Sequence, residues 1–317
     1  MLCQFIKAYP TYDRGLLDMS TFTRLDRVLN ASDEILIDDT SRLVFLSDCH
    51  RGDNSKADDF ASNSSIYCYA LEYYYKRGYT YVEIGDGDEL WENDYFSSLL
   101  QAHGNVYLQM RKFHQEGRLY MIWGNHDIFK SRSRYVKKNL YEYYDPVTQK
   151  SEPLFDNIKV HEGLILRYRD TNHKILIVHG HQGDLLNDCL WPLSRFLVRY
   201  IWRHFELLRC RNPISPARNA SRTNTIESNI IRWIKANNQI VIAGHTHHAA
   251  FARPGEAPYF NDGCCVNNDY ITGIEIQNGE IMLVEWYKKL SDRGLPEISR
   301  KISAGPEKIN AFFLHDS

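Results

Sequence analysis

The sequence predicts an α/β fold, a mixed sheet system flanked by helices, and three observations predict it. Five short apolar runs recur along the chain, and each closes on a turn rich in Gly, Asp, His and Asn. Amphipathic stretches of helical spacing separate several of these runs. Towards the end, Asn278-Gly279 stands between two apolar runs, a strong β-hairpin signal.

The runs are taken in chain order. Leu43-Val44-Phe45-Leu46 leads into Ser47-Asp48-Cys49-His50. Tyr81-Val82-Glu83-Ile84 leads into Gly85-Asp86, and Leu119-Tyr120-Met121-Ile122-Trp123 into Gly124-Asn125-His126-Asp127. Ile175-Leu176-Ile177-Val178 leads into His179-Gly180-His181, and Ile240-Val241-Ile242-Ala243 into Gly244-His245-Thr246-His247. Runs this short and this continuously apolar suit strands covered on both faces. Between them, 65–77 reads as a helix closed by Gly78, and 95–116 as one or two helices closed by Gly117. Asn224 with Glu227 reads as a capping box for a helix over Ile226, Ile230, Trp233 and Ile234. Ile274-Glu275-Ile276 and Ile281-Met282-Leu283-Val284 flank the Asn-Gly turn, and beyond Lys288 the tail is polar and shows no pattern.

Composition bounds the function. The 317 residues are 43% hydrophobic and 25% charged with net charge −2, a globular balance that names no partner. One domain spanning 1–317, its core about 43–287, accommodates this length with an insertion at about 185–222. No run approaches the ~20 apolar residues of a membrane span, and Met1 to Pro10 lacks a signal-peptide core, so a cytoplasmic location is expected. Seven scattered cysteines argue against a disulfide framework or a zinc ribbon. Cys264-Cys265 read as buried small hydrophobes in a strand. No basic stripe with interleaved aromatics spans the chain, so a nucleic-acid partner is not expected.

The chemistry lies in the polar turns. In open α/β sheets ligands bind beyond the carboxyl ends of strands, and all five turns carry metal-ligand residue types there. One such turn is commonly a solvated loop; five in one chain are not. Imidazole and carboxylate donors without an obligatory thiolate suit Mn²⁺, Fe, Zn²⁺ or Co²⁺. Seven candidates are too many for one tetrahedral ion with an open position, and fit two divalent ions sharing a carboxylate.

The ordered series DxH, GDxx(D/E), GNH(D/E), HGH and GHxH resembles that of the calcineurin-like metallophosphoesterases, over roughly 43–287. The resemblance implies a four-layer α/β/β/α sandwich with a dinuclear metal site at one edge, Mn²⁺ foremost among the metals. Carried over by residue, Asp48, His50 and His247 would bind the first ion, Asp86 would bridge, and Asn125, His179 and His245 would bind the second. His126 would protonate the leaving group or stabilise the transition state, with Asp127 orienting it. Asp86 is preferred to Asp88 as the bridge because it directly follows the apolar run and leaves Glu89 three residues on. The implied activity is hydrolysis of a phosphate ester or pyrophosphate by a hydroxide bridging two cations roughly 3.5–4 Å apart. The alternative is an inactive metal-binding scaffold on the same fold, though none of the family's ligand positions is missing.

The run Gly85 to Glu92 and the insertion also resemble the UDP-2,3-diacylglucosamine diphosphatase branch of that family. The branch has Arg after the Asn of the third motif, where this chain has His126, the pattern of the wider phosphatase and phosphodiesterase groups. Substrates then range over nucleotide-sugar lipid pyrophosphates, cyclic nucleotides, nucleotide polyphosphates and phosphoproteins. Within the insertion Leu190, Leu193, Leu197, Ile201, Phe205 and Leu208 recur at helical spacing, with Arg195, Arg199 and Arg203 on another face. These arginines either form a solvated basic face or receive a phosphate or diphosphate; peripheral contact with an anionic membrane is a further reading.

Overall fold

The computed structural model describes residues 21–171, 173–184, 220–291 and 294–313. Nearly all of the predicted insertion, including Arg195, Arg199 and Arg203, lies outside the described residues.

Helix α1 (Thr21–Ala31) and strand β1 (Asp33–Ile37) precede the first predicted run. The runs then appear as β2 (Leu43–Leu46), β3 (Thr80–Ile84) and β4 (Leu119–Ile122), joined by α2 (Ser64–Lys76) and α3 (Phe96–Gln115). Helix α4 (Ser133–Asn139) and a small hairpin, β5 (Glu142–Asp145) with β6 (Lys150–Pro153), lead to β7 (Val160–His161), β8 (Gly163–Tyr168) and β9 (Lys174–Val178). Helix α5 (Ala220–Asn237), β10 (Ile240–Ala243), β11 (Ala250–Phe251) and β12 (Tyr259–Asn261) follow. The chain closes on β13 (Tyr270–Gln277), β14 (Glu280–Leu290) and β15 (Pro296–Lys308).

Two mixed sheets result. One has the order β15-β14-β13-β2-β3-β4-β7 and the other β1-β8-β9-β10-β12-β11. β2, β3 and β4 are parallel, with Leu43 opposite Thr80 and Tyr81 opposite Leu119. β9 and β10 are parallel in the second sheet, with Ile240 opposite Ile175.

The continuous apolar runs are explained by alternation between two covered faces. Leu43, Phe45, Val82, Ile84 and Ile122 point between the sheets, where they pack with Ile175, Ile177, Ile240 and Ile242. Val44, Leu46, Tyr81 and Met121 point outward onto α2 and α3. On the other side Leu176, Val178, Val241 and Ala243 pack under Leu25 and Val28 of α1 and Ile226, Ile230 and Trp233 of α5. The layers are therefore α/β/β/α. No described helix is long and apolar enough to cross a membrane.

Helix ends and turns follow their local chemistry. Gly78 and Gly117, just past α2 and α3, have φ of +74° and +68°, a backbone that glycine adopts without a Cβ clash. Asn278 and Gly279 have φ of +54° and +66°, the requirement of a two-residue hairpin turn. α3 is one helix kinked at His103, whose Nε2 lies 2.7 Å from Asp58 Oδ2.

Three local expectations differ from the structure. Asn224 lies inside α5 and caps nothing, because the helix already includes Ala220; Glu227 instead pairs with Thr246 Oγ1 (3.1 Å) and His248 Nδ1 (3.2 Å). Cys264 and Cys265 are buried, but in the loop between β12 and β13. The polar tail is a 13-residue edge strand, β15, paired along β14 from Leu290–Pro296 to Glu280–Lys308. Its polarity reflects exposure at the sheet edge rather than lack of structure.

β15 is anchored where Arg300 bonds the buried carboxylate of Glu275, through Nε at 2.8 Å and Nη2 at 2.6 Å. Tyr74 OH donates to the same carboxylate at 2.6 Å and receives Trp286 Nε1 at 2.8 Å. Arg300→Met strands that carboxylate and should lower stability in urea by roughly 3 kcal/mol. Lys301→Met, which removes an exposed pair with Glu285, should cost less than about 1 kcal/mol. Equal effects would mean that β15 is not docked in this register.

Candidate metal centre

The five polar turns meet at one edge of the sandwich, at the carboxyl ends of strands from both sheets. Asp48 and His50 follow β2, Asp86 follows β3, Asn125 to Asp127 follow β4, His179 follows β9, and His245 and His247 follow β10. Asp48, Asp86, His179 and His245 are almost wholly buried, as are Asn125 and Asp127.

Among the described residues two groups made of proposed ligands form there, beside a third cluster of His50, Glu89 and His126. Asp48, His50 and His247 each offer a ligand atom within 4.8 Å of the others, and so do Asp86, His179 and His245. In the first group His247 Nε2 is 3.1 Å from Asp48 Oδ1, and the Nε2 atoms of His50 and His247 are 3.2 Å apart. In the second His179 Nε2 is 3.2 Å from Asp86 Oδ2, and that oxygen also lies 3.9 Å from His50 Nε2. Asp86 thus stands between the groups. The expected alternative, Asp88, faces away from them and is bonded by Arg51 Nε (2.8 Å), Lys130 Nζ (2.8 Å) and Tyr107 OH (2.6 Å).

The imidazoles are oriented from behind. His179 Nδ1 donates to the Ile84 carbonyl at 2.7 Å, which leaves Nε2 as the atom turned to the site. His50 Nδ1 lies 2.9 Å from Glu89 Oε2, which orients its Nε2 in the same way. Asp48 Oδ2 accepts the His245 backbone N–H at 2.8 Å and the Ser47 hydroxyl.

The backbone at these turns is unusual. Asp48, His50, Asp86, His245 and His247 all have positive φ, between 47° and 71°. Such conformations cost about 1–3 kcal/mol each and persist where the surroundings enforce them. Glycines allow the close packing: a Cβ on Gly124 would collide with Asp86 Oδ1, and one on Gly244 with Ser47 Oγ.

The electrostatics match a cation site. Burial alone would neutralise Asp48 and Asp86, but His247 and His179 beside the first, and His179 and His126 beside the second, hold both carboxyls well below the usual range. Burial would likewise discharge the histidines, yet Asp86 and Asp48 push His179 up to about 9, and Asp48 pushes His247 up to about 10. Positive charge is thus drawn to where the donor atoms converge, and bound cations would displace those protons. Asn125 adds a test of fit: both its amide atoms are buried without a hydrogen-bond partner among the described residues. A coordinating amide oxygen would answer that deficit, and an O/N donor set of this kind suits first-row divalent ions.

One expectation changes here. Asp127 does not orient His126: its Oδ1 accepts Gly124 N–H and its Oδ2 accepts Lys130 Nζ, each at 2.7 Å. The group on His126 is Glu89, whose Oε2 lies 2.7 Å from Nδ1. His181 is fully buried, with its ring 5.5 Å from that of His179, and His248 is exposed beside Glu227.

Sequence reading missed a buried charge cluster under the site. Arg51 bonds Glu83 (2.7 and 3.1 Å) and Asp88; Lys130 bonds Asp88 and Asp127. The cluster ties the turns after β2, β3 and β4 together. Its only sequence signal is the unusual density of charge around the apolar runs. Lys130→Met leaves two buried carboxylates short of a cation and should cost roughly 3–5 kcal/mol in a denaturation experiment; a cost under about 1 kcal/mol would show the cluster to be solvated. Mn²⁺ added to chelator-treated protein should raise the melting midpoint, by about 2.7 kcal/mol of stabilisation at a hundredfold excess over Kd. Asp86→Asn should abolish most of that rise, and an undiminished rise would place the ions elsewhere.

The family description "Calcineurin-like phosphoesterase" matches residues 41–249. No curated protein matches the chain. Among solved structures, a Staphylococcus aureus protein assigned as a 5'-nucleotidase, solved in complex with alpha-ketoglutarate, aligns at 13% identity and a TM-score of 0.34. The alignment covers 82% of this chain and 53% of that one, so this chain spans about half its length. A likeness of that degree says nothing of substrate. The family match, over about two thirds of the sequence and all five turns, shows that the chain belongs to the calcineurin-like phosphoesterase family.

Proposed function

We propose that this chain is a dinuclear metal-dependent hydrolase of phosphate esters or pyrophosphates. The carrying observation is the pair of adjoining donor groups with Asp86 between them. Asp48, His50 and His247 would hold one divalent ion; Asn125, His179 and His245 would hold the other; Asp86 would serve both. Mn²⁺ is the metal we favour for this donor set, with Fe, Zn²⁺ and Co²⁺ as competitors. Two bound cations would supply charge neutralisation at the phosphoryl oxygens and acidify water to a nucleophile at neutral pH.

The chain's own residues do the rest. His126 stands at the rim of the donor groups with its side chain 18% exposed, the access a substrate-facing group needs. Its backbone N–H donates to Asp86 Oδ1 at 2.8 Å, which fixes it beside the proposed bridging carboxylate. Glu89 accepts from Nδ1, so the proton that the imidazolium would give the leaving oxygen is the one on Nε2. Glu89 Oε2 serves His50 in the same way. One carboxylate therefore holds the Nδ1 edge of a proposed ligand and of the proposed acid. Asp127 contributes through the Gly124 N–H, keeping the third turn packed on Asp86.

Chelated and then Mn²⁺-reconstituted protein should hydrolyse at least one of 4-nitrophenyl phosphate, bis(4-nitrophenyl) phosphate and a UDP-sugar pyrophosphate, and Asp86→Asn should not. The preferred bond selects the substrate class, including the lipid-linked sugar nucleotides of the diphosphatase branch. No turnover with two metals bound would favour the scaffold. His126→Ala should retain its metals and lose about 10²–10⁴-fold in kcat on phenyl esters. It should lose less on nitrophenyl esters, whose leaving group needs little protonation. An equal loss on both would reject the proton-donor role.

A further inference from the structure

We infer that Trp91 is a positioning residue that holds the His126 ring in its working orientation by lying flat against it. The inference rests on the role proposed above for His126. The indole and imidazole centroids are 4.0 Å apart, with planes inclined by only 17°. A histidine held at Nδ1 alone keeps freedom about χ2, a broad torsion. Rotation about that torsion would carry Nε2 out of line with a leaving oxygen. A large rigid plane stacked on one face removes it.

Trp91 is built to be such a plane. It is 2% exposed and packs in a small apolar cluster with Trp123 and Ile128, the latter two residues beyond His126. Its backbone N–H donates to Glu89 Oε1 at 3.1 Å, while Glu89 Oε2 meets His126 Nδ1. The turn from Glu89 to Trp91 thus supplies both restraints, a hydrogen bond at the edge of the ring and a plane on its face. His50 adds a third contact, edge-on, at 4.6 Å and 87°. An indole that only filled space would be replaceable by any apolar side chain of similar bulk. A stacking plane would not.

The test uses Mn²⁺-loaded protein with phenyl phosphate and diphenyl phosphate, comparing W91L, W91F, H126A and the H126A/W91L double variant. W91L should lower kcat about 10- to 100-fold, the scale of a misplaced catalytic group, with KM and metal content unchanged. W91F, which keeps a ring, should recover most of the loss. In the H126A background W91L should cost nothing further, since the two residues act as one unit. In chelator-treated protein, W91L should shift the His126 Cε1 proton resonance out of the indole ring current. W91F separates a packing defect from a lost stack: if it is as impaired as W91L, or if the losses multiply in the double variant, the inference is overturned. A normal kcat in W91L beside an impaired H126A sinks the inference alone. A normal kcat in H126A sinks it together with the proposed role of His126.

Discussion

The edge that carries the donor groups depends on ion pairs sealed beneath it. Arg51, Lys130, Glu83, Asp88 and Asp127 are all buried, with Arg51 against Tyr107 and Met110 of the kinked helix α3. Arg51 comes from the turn after β2, Asp88 from the turn after β3, and Asp127 and Lys130 from the segment after β4. Charges so deeply desolvated are tolerable only when each finds its partner. Three loops are therefore held in one relative arrangement, and the donor atoms above them converge as a consequence.

That arrangement explains why strained backbone survives at the site. Five proposed ligands sit at positive φ, each in a conformation that a free loop would leave. The strain is borne by features beside them. Gly124 and Gly244 let the backbone of one turn approach the carboxylate of another. Backbone N–H groups of His126 and His245 donate to Asp86 and Asp48. With the donors held by these contacts, binding of a cation would not have to order the turns.

Much of this was legible in the residues, for an identifiable reason. A buried strand must be apolar on both faces, and its end must turn; so an apolar run closing on Asp, His or Asn marks both element and chemistry. That is how β2, β3, β4, β9 and β10 could be read, along with the residues that follow them. Gly78, Gly117 and Asn278-Gly279 were readable because their backbone angles exclude most other side chains. β15 was not, because an edge strand exposed to water carries no apolar alternation. Asn224 and Glu227 misled because a capping pair and an interior pair have the same spacing, and only the approach of Thr246 and His248 distinguishes them.

The sequence by itself determined the fold class, the five buried strands that end at the site and the donor types, since these follow from periodicity, turn chemistry and coordination preference. It could not decide which acid serves which histidine. Asp86, Asp88 and Glu89 are similar carboxylates within a few positions of one another, and Asp127 is another at the end of the third motif. Folding sends Asp88 to Arg51 and Lys130, Asp127 to Gly124 and Lys130, Glu89 to His50 and His126, and leaves Asp86 among the imidazoles. Asp127 aside, those assignments are made by residues far apart in the chain, through contacts that exist only once the turns have come together.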